Sequence, residues 1–488
     1  MNSIREQATT LHLIAFAVIM LLLSFAGAVR PAQAQTFTLL YSFQGTSGNY
    51  GAYPQGLVQG TSGYLYGVTS AGGKVSDNGQ FYKISPSSGE LTTICYFFAA
   101  GPPCEDAGTP TAALAIGSNG DFYGADNGGH IWQITPKAKV KILYTGNAPA
   151  YGPVIQASNG DFYGTNYGGA YDYGSVFKLT SSGKETTLYS FCAHPQGDVC
   201  PDGQNPNVAL VQGSDGNLYG TTSAGGIDIN VGYGTIFKIT LDGTLTTLYD
   251  FPAGTSGGIP SSALIEGADG NFYGTTSTGG TGVYGEGGTF FTVTPAGDVT
   301  YLYNFCTLNH CADGAQPTNL YLATDGNFYG ITWDGGANSQ GTIFQMTPSG
   351  TLTTLHSFDG TDGSGPNGGG TIMQATNGTL YGTMLEGGIT WPCDSGIVCV
   401  GTVFSLDMGL APFVETLPTS GKVKKAVKIL GTDLTGATSV TFNGTAATFK
   451  VASSSEITTT VPEGATTGVV KVITPNGTLT SNVAFQVP

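Results

Sequence analysis

The sequence predicts an all-β chain, a seven-bladed β-propeller followed by an immunoglobulin-like β-sandwich, and three observations carry that prediction. A Tyr-Gly pair recurs at Tyr66, Tyr123, Tyr163, Tyr219, Tyr273, Tyr329 and Tyr381, spaced 57, 40, 56, 54, 56 and 52 residues apart. Each recurrence lies within four short strand-like runs, and four antiparallel strands repeated around a ring make a propeller. The seventh unit stops after its third run, at Phe404-Ser-Leu-Asp407, while a spare fourth run, Phe37-Thr-Leu-Leu-Tyr-Ser-Phe43, precedes the first unit. The N-terminal strand would therefore complete the last blade, and closure would remove the exposed sheet edges of an open array. An open β-solenoid is the alternative, and it gives no reason for the displaced strand.

Within a unit the elements follow in order. The first run is apolar, as at Leu57-Val58, Leu210-Val211 and Leu264-Ile265. An Asp-Gly or Asn-Gly turn comes next, at Asn119-Gly120, Asp215-Gly216 and Asp325-Gly326 among others. Such pairs supply the positive φ angles of a tight hairpin. The second run carries the Tyr-Gly. The third is of the type Gly234-Thr-Ile-Phe-Lys-Ile-Thr240, and the fourth of the type Leu245-Thr-Thr-Leu-Tyr-Asp-Phe251. β-Branched and aromatic residues dominate these runs, as strands require. The repeated Tyr and Phe predict packing between blades, and Trp132 stands where other units have the Phe237-type ring.

Residues 1–34 read as an export signal, with Arg5 in the charged region, an apolar run from Leu13 to Phe25, and Ala32-Gln-Ala34 as cleavage site. The apolar run is short for a membrane span; an uncleaved anchor is the alternative. No later stretch is long and apolar enough to span a bilayer, so the mature chain is expected to be secreted, at the cell surface or in the periplasm. The full chain has 16 basic and 32 acidic residues. Removing Arg5, Arg30 and Glu6 with the leader leaves 14 basic against 31 acidic, a net charge of −17. Such a chain repels phosphate backbones, which excludes nucleic acid as a partner.

Eight cysteines fall into four close pairs, Cys95/Cys104, Cys192/Cys200, Cys306/Cys311 and Cys393/Cys399. An even count in an exported chain predicts disulfides, here local ones. Each would contribute roughly 2–3 kcal/mol by closing a short loop. Metal binding is the rival reading, and the irregular separations and sporadic His194 and His310 speak against it. Loop lengths then separate two rims. The one–two and three–four turns are uniformly tight; the two–three and four–one connections are long, variable and hold every cysteine pair. Function resides on variable loops carried by a rigid scaffold.

The repeat stops at Pro412, leaving 1–34 as leader, 35–408 as propeller and 412–488 as a separate β unit. Lys becomes frequent there, and strand-like runs appear at Val427–Leu430, Val440–Phe442, Phe449–Val451, Ile457–Val461, Gly468–Ile473 and Val483–Val487. Through Pro418-Thr-Ser-Gly421, Gly431-Thr-Asp-Leu434, Val440-Thr-Phe-Asn-Gly444, Val461-Pro462 and Pro475-Asn-Gly477 this tail resembles an IPT/TIG domain. That resemblance implies an immunoglobulin-like spacer or interaction module. Residues 36–407 resemble the tandem GloVer-type (Gloeo/Verruco) repeats of exported bacterial proteins, through Asp269-Gly-Asn-Phe-Tyr-Gly-Thr-Thr276 and Gly341-Thr-Ile-Phe344. The resemblance implies export and a propeller-like repeat, and no particular activity.

Motif chemistry is sparse. The Asx-Gly pairs lack the alternating carboxylates of a calcium loop and read as turns. There is no nucleophile elbow, metal-spaced histidine cluster, phosphate loop or cofactor motif. What remains is departure from the repeat on the elaborated rim. The position before Gly-Gly is Ala71, Asn127, Tyr167, Ala224, Thr278, Asp334 and Glu386, so neighbouring units six and seven carry acids there. Trp333 precedes Asp334, and Trp391 follows Glu386 in the same loop. Tyr171, Tyr173, Tyr233 and Tyr284 lie in other two–three loops. Aromatics beside carboxylates suit carbohydrate stacking and hydrogen bonding; the plain alternative is loop residues that cover the blade ends. Three functions follow: a non-catalytic binding scaffold for an extracellular glycan or cell-surface protein, a glycan-cleaving enzyme with Asp334 and Glu386 as its carboxylate pair, or a purely structural adhesion protein.

Overall fold

The computed structural model describes residues 35–45, 51–73, 78–97, 104, 107–146, 152–193, 195, 199–227, 232–252, 257–281, 287–365, 370–388 and 400–488. The leader, Tyr284, Trp391, Cys393 and Cys399 lie outside the described residues. Among the described residues the repeat region forms seven antiparallel sheets and the tail two more. Helix is limited there to one 3-10 turn, Asn309–Cys311.

Six repeat sheets run in chain order, as in Val211–Gln212, Leu218–Thr222, Thr235–Ile239 and Leu245–Asp250. The fifth carries an extra strand, Gly258–Pro260, paired with Phe272–Thr278. In the seventh, Gly370–Gln374, Leu380–Met384 and Thr402–Asp407 take their outer neighbour from the other end of the chain. Thr36–Ser42 pairs antiparallel with Thr402–Asp407, Phe37 opposite Leu406 and Ser42 opposite Thr402.

The Tyr-Gly pair has a steric cause. A Cβ at Gly220 would lie 2.6 Å from Phe237 Cζ, and one at Gly124 2.3 Å from Trp132 Cη2. Glycine on strand two leaves room for the strand-three ring to cross it. The tyrosine serves two neighbours at once. Tyr219 Oη donates to Asp215 at 2.9 Å, and its ring stacks on Phe272 of the next sheet with centroids 4.0 Å apart. Tyr273–Asp269 and Tyr329–Asp325 repeat the hydrogen bond at 3.0 Å each. Burial pushes the Tyr219 hydroxyl well above its usual range, with Asp215 adding to it. Burial also works to raise Asp215, but donors at Asn217 and Tyr219 outweigh it and hold the carboxyl below its usual value.

Two further contacts bind each sheet to the next. The phenylalanine ending strand four meets the strand-three ring of the following sheet: Phe191 on Phe237 at 5.3 Å, Phe251 on Phe291 at 5.5 Å, Phe305 on Phe344 at 5.2 Å. Phe43, from the N-terminal strand, makes the same contact to Tyr82 of the first sheet at 5.6 Å. Second, a strand-one glutamine caps the preceding turn. Gln156 accepts from Ser118 N, Gln212 from Ser158 N, and Gln374 from Thr324 N, at 2.8 to 2.9 Å. Gln59 of the first sheet does the same to Thr376 N of the seventh at 2.8 Å. One apolar cluster accordingly joins Leu65, Tyr82 and Ile84 to Phe43, Tyr381 and Val403.

In the tail, Glu415–Leu417, Ala426–Leu430, Glu456–Thr460 and Phe449–Val451 face Thr445–Ala446, Ser439–Phe442, Val470–Thr474 and Gly477–Thr480. Val427, Ile429, Val440, Phe442, Ile457, Val472 and Phe485 form its core. The expected strand at Val483–Val487 is corrected. That segment crosses between the two sheets, bridging Gly468 through Phe485 and Ser420 through Gln486, so it extends neither. Gly477–Thr480 completes the second sheet instead. Three disulfides join Cys95 to Cys104, Cys192 to Cys200 and Cys306 to Cys311, as the sequence spacing predicts.

Candidate functional site

The two–three and four–one connections gather on one rim because each links strand ends opposite the tight Asx-Gly turns. Trp333 and Asp334 end the strand Phe328–Asp334, with Trp333 half-buried and Asp334 exposed opposite Ala315. The Asp334 carboxylate accepts from Gly335 N at 2.6 Å. Glu386, half-buried, pairs by its backbone with Ser364. The segment Asp359–Gly365 runs between these two acidic positions. Its Gly365 is required by close approach, since a Cβ there would lie 2.2 Å from Trp333 O. Ser364 Oγ donates to Gln340 Oε1 at 2.6 Å, and Ser364 N to Glu386 O at 3.0 Å. Asp362 accepts from Asp359 N at 2.9 Å and pairs with His356 Nε2 at 2.7 Å. The Asp359 carboxyl is held below its usual range, first by the Thr361 hydroxyl. Asp334 and Glu386 thus flank one tightly bonded strap, the strap touching the backbone beside each.

The tyrosines divide. Tyr173 is 43% exposed and Tyr171 48%, at the tip of the third sheet's two–three loop. The Tyr173 carbonyl accepts from Asn205 N at 2.8 Å, which ties that tip to the neighbouring connection. Tyr233 is half-buried instead: its carbonyl accepts from Ile259 N at 2.7 Å, and its ring lies where a Cβ on Gly258 would fall. It supports the fifth sheet's extra strand. Among the described residues no group of three His, Cys, Asp or Glu could hold a metal ion.

Sequence reasoning missed the opposite rim. Two cavities, of about 470 and about 340 Å³, lie along the seam between the tight turns and the tail. The larger is bounded by Ile155, Val211 and Gly213 on one side and Ser420, Val483 and Gln486 on the other. The available signal was the short join from Asp407 to Phe413, which leaves the tail no room to stand away from those turns.

Four-stranded sheets bound to one another by recurring aromatic contacts, followed by a small sandwich, define a propeller-like tandem-repeat β protein with an immunoglobulin-like tail. The chain belongs to the Gloeobacter/Verrucomicrobia repeat family, which matches residues 28–200 and 196–398, and residues 413–487 match the IPT/TIG domain. No curated protein matches it in sequence. Among solved structures it is similar to selenomethionine-substituted virginiamycin B lyase from Staphylococcus aureus, at 17% identity and a TM-score of 0.48, over 76% of this chain and 99% of that one. A streptogramin B lyase structure is 18% identical with a TM-score of 0.49, over 76% and 97%. A gluconolactonase from Xanthomonas campestris is 14% identical with a TM-score of 0.37, over 60% and 84%.

Proposed function

We propose that the protein is an exported, non-catalytic binding scaffold whose elaborated rim takes an extracellular glycan. Residues 35–408 form a seven-bladed ring closed by the N-terminal strand, and 412–488 a separate sandwich, after removal of a leader near Ala34. The repeated contacts of Phe43 with Tyr82 and of Gln59 with Thr376 support closure. Three disulfides fit an extracellular setting, and no helix among the described residues is long and apolar enough to cross a membrane.

One observation carries the functional reading. Among the described residues of the repeat region, the exposed large apolar side chains Tyr171, Tyr173, Ile227, Ile259 and Leu308 lie on the two–three and four–one connections; Tyr64 is the exception there. Exposed Tyr171 and Tyr173 on the third sheet's loop, with Asp334 and Glu386 elsewhere on the same rim, offer aromatic faces and hydrogen-bond acceptors suited to a sugar. Tyr173 and Trp333 are assigned to ligand contact, together with Tyr284 and Trp391 in the two–three loops of units five and seven. Tyr233 acts through the extra strand that it supports.

A glycan-array screen of the secreted protein tests the reading, with reducing-end assays on every hit. Retained glycans without new reducing ends are expected. New reducing ends that Asp334→Asn or Glu386→Gln abolishes would establish the glycan-cleaving alternative, which the placement of both acids beside one strap favours. A silent array together with binding to cell-surface protein would establish a protein ligand, and silence in both a structural adhesion role.

A further inference from the structure

The larger cavity at the seam carries an inference independent of the rim. Phe413 N donates to Thr376 O at 3.0 Å, Thr376 Oγ1 meets Thr432 Oγ1 at 3.1 Å, and Ser455 Oγ donates to Thr61 O at 2.8 Å. These contacts tie the tail to the seventh and first sheets, and Asn482 reaches Tyr321 of the sixth. Over the turns of the third and fourth sheets the seam holds the cavity of about 470 Å³ instead. A cleft of this size where two domains meet is a common setting for a small-molecule site. Its walls differ in chemistry. The tail supplies Val483, Ala484 and Val487, and Val483 is 52% exposed. The ring supplies Glu266, which is half-buried.

Glu266 breaks the repeat. Four other sheets carry Gln59, Gln156, Gln212 and Gln374 at its position. Those glutamines accept from the preceding sheet's turn, and three of them also donate to their own: Gln156 to Gly160 O, Gln212 to Gly216 O and Gln374 to Gly378 O, at 2.9 to 3.0 Å. Glu266 keeps the first bond, accepting from Ser214 N at 2.8 Å, and adds Ser214 Oγ at 2.5 Å. An ionised carboxylate has no hydrogen to give, so it forfeits the second. Capping alone is served by glutamine, and the charge of Glu266 calls for another partner. Among the described residues Glu266 forms no ion pair. Each of its oxygens holds one donor from Ser214 and keeps acceptor capacity. Asp215, also on the cavity wall, is bonded to Asn217 and Tyr219 and lies in the field of Lys238. No Lys, Arg or His lines the cavity.

We propose that this cavity binds a small organic cation, an alkylammonium whose nitrogen pairs with Glu266 and whose apolar body lies along Val483 and Ala484. The ammonium donates to a carboxylate with acceptor capacity to spare, and such charge-assisted bonds are stronger than neutral ones. An anion meets the charge of Glu266 unfavourably. A bare inorganic cation leaves the apolar wall unused. Only a cation with an apolar body uses both walls.

The test titrates the full chain by calorimetry, at neutral pH and fixed salt, with hexylammonium and with n-hexanol, its neutral counterpart of like length. The parent should bind hexylammonium roughly tenfold or more tightly than hexanol, the step a charged partner adds to a hydrogen bond. Glu266→Gln installs the residue already present in four sheets, so the turn is kept, and it should lose that preference. Val483→Ser should weaken both probes. Asp298→Asn, which removes an exposed carboxylate from another turn of the fifth sheet, should bind like the parent. A parent that does not prefer hexylammonium overturns the proposal without any variant. So does a folded Glu266→Gln that keeps the preference, or a Val483→Ser that binds both probes like the parent. An equal loss in Asp298→Asn also overturns it, because the attraction is then diffuse.

Discussion

The N-terminal strand can be tested at a single ring. Phe43 is buried against Tyr82, with centroids 5.6 Å apart and planes at 70°. Phe251 is buried against Phe291 with centroids 5.5 Å apart and planes also at 70°. Phe43 follows the strand Thr36–Ser42 that pairs with Thr402–Asp407, so its contact joins the seventh sheet to the first, whereas the other joins two consecutive sheets. If both close the same ring, truncation empties the same kind of groove. Phe43→Ala and Phe251→Ala should then each cost about 3–5 kcal/mol, the usual range for a buried phenylalanine. Guanidinium unfolding followed by far-UV circular dichroism reads this as a shift of midpoint at unchanged slope. A Phe43→Ala cost below about 1 kcal/mol, beside a full cost for Phe251→Ala, would show that the N-terminal strand is a loose appendage. The ring would then be open.

Two more outcomes are expected of the scaffold. Gly220→Ala drives a methyl group to within 2.6 Å of Phe237 Cζ and 2.7 Å of Leu210 Cδ2, which should cost roughly 1–3 kcal/mol in the same unfolding assay. A cost near zero would remove the steric account of the Tyr-Gly pair. Non-reducing peptide mapping of exported material should return Cys393–Cys399 together with the three local bridges already formed. A long-range pair or free thiols would break the separation into plain and stapled rims.

Much of the scaffold was legible because the repeat states each contact several times. The Asx-Gly turns, the Tyr-Gly pair and the strand-four phenylalanine recur, so one unit explains the others. The displaced run Phe37–Phe43 was readable for the same reason, as a missing copy. The tail was less legible. It occurs once, and Val483–Val487 has strand alternation yet spans the gap between two sheets. Alternation reports which side chains turn inward and carries nothing about hydrogen-bond partners. The rim was legible as an anomaly rather than as a geometry. Tyr173 and Tyr233 are equivalent by loop, but only the structure separates an exposed ring from one wedged beside Gly258. The seam was invisible, because the tail occurs once and no repeated position marks the tight turns that it meets.

The most direct test of the functional reading compares faces. Titration calorimetry with a glycan retained on the array would measure Tyr173→Ala and Trp333→Ala on the elaborated rim against Tyr64→Ala at a tight turn. Losing a stacking aromatic costs on the order of 1 kcal/mol, a several-fold loss of affinity. Both rim variants should weaken binding by that much at unchanged fold stability, and Tyr64→Ala should bind like the parent. Parental affinity in both rim variants, or a loss confined to Tyr64→Ala, would contradict the rim as the binding surface.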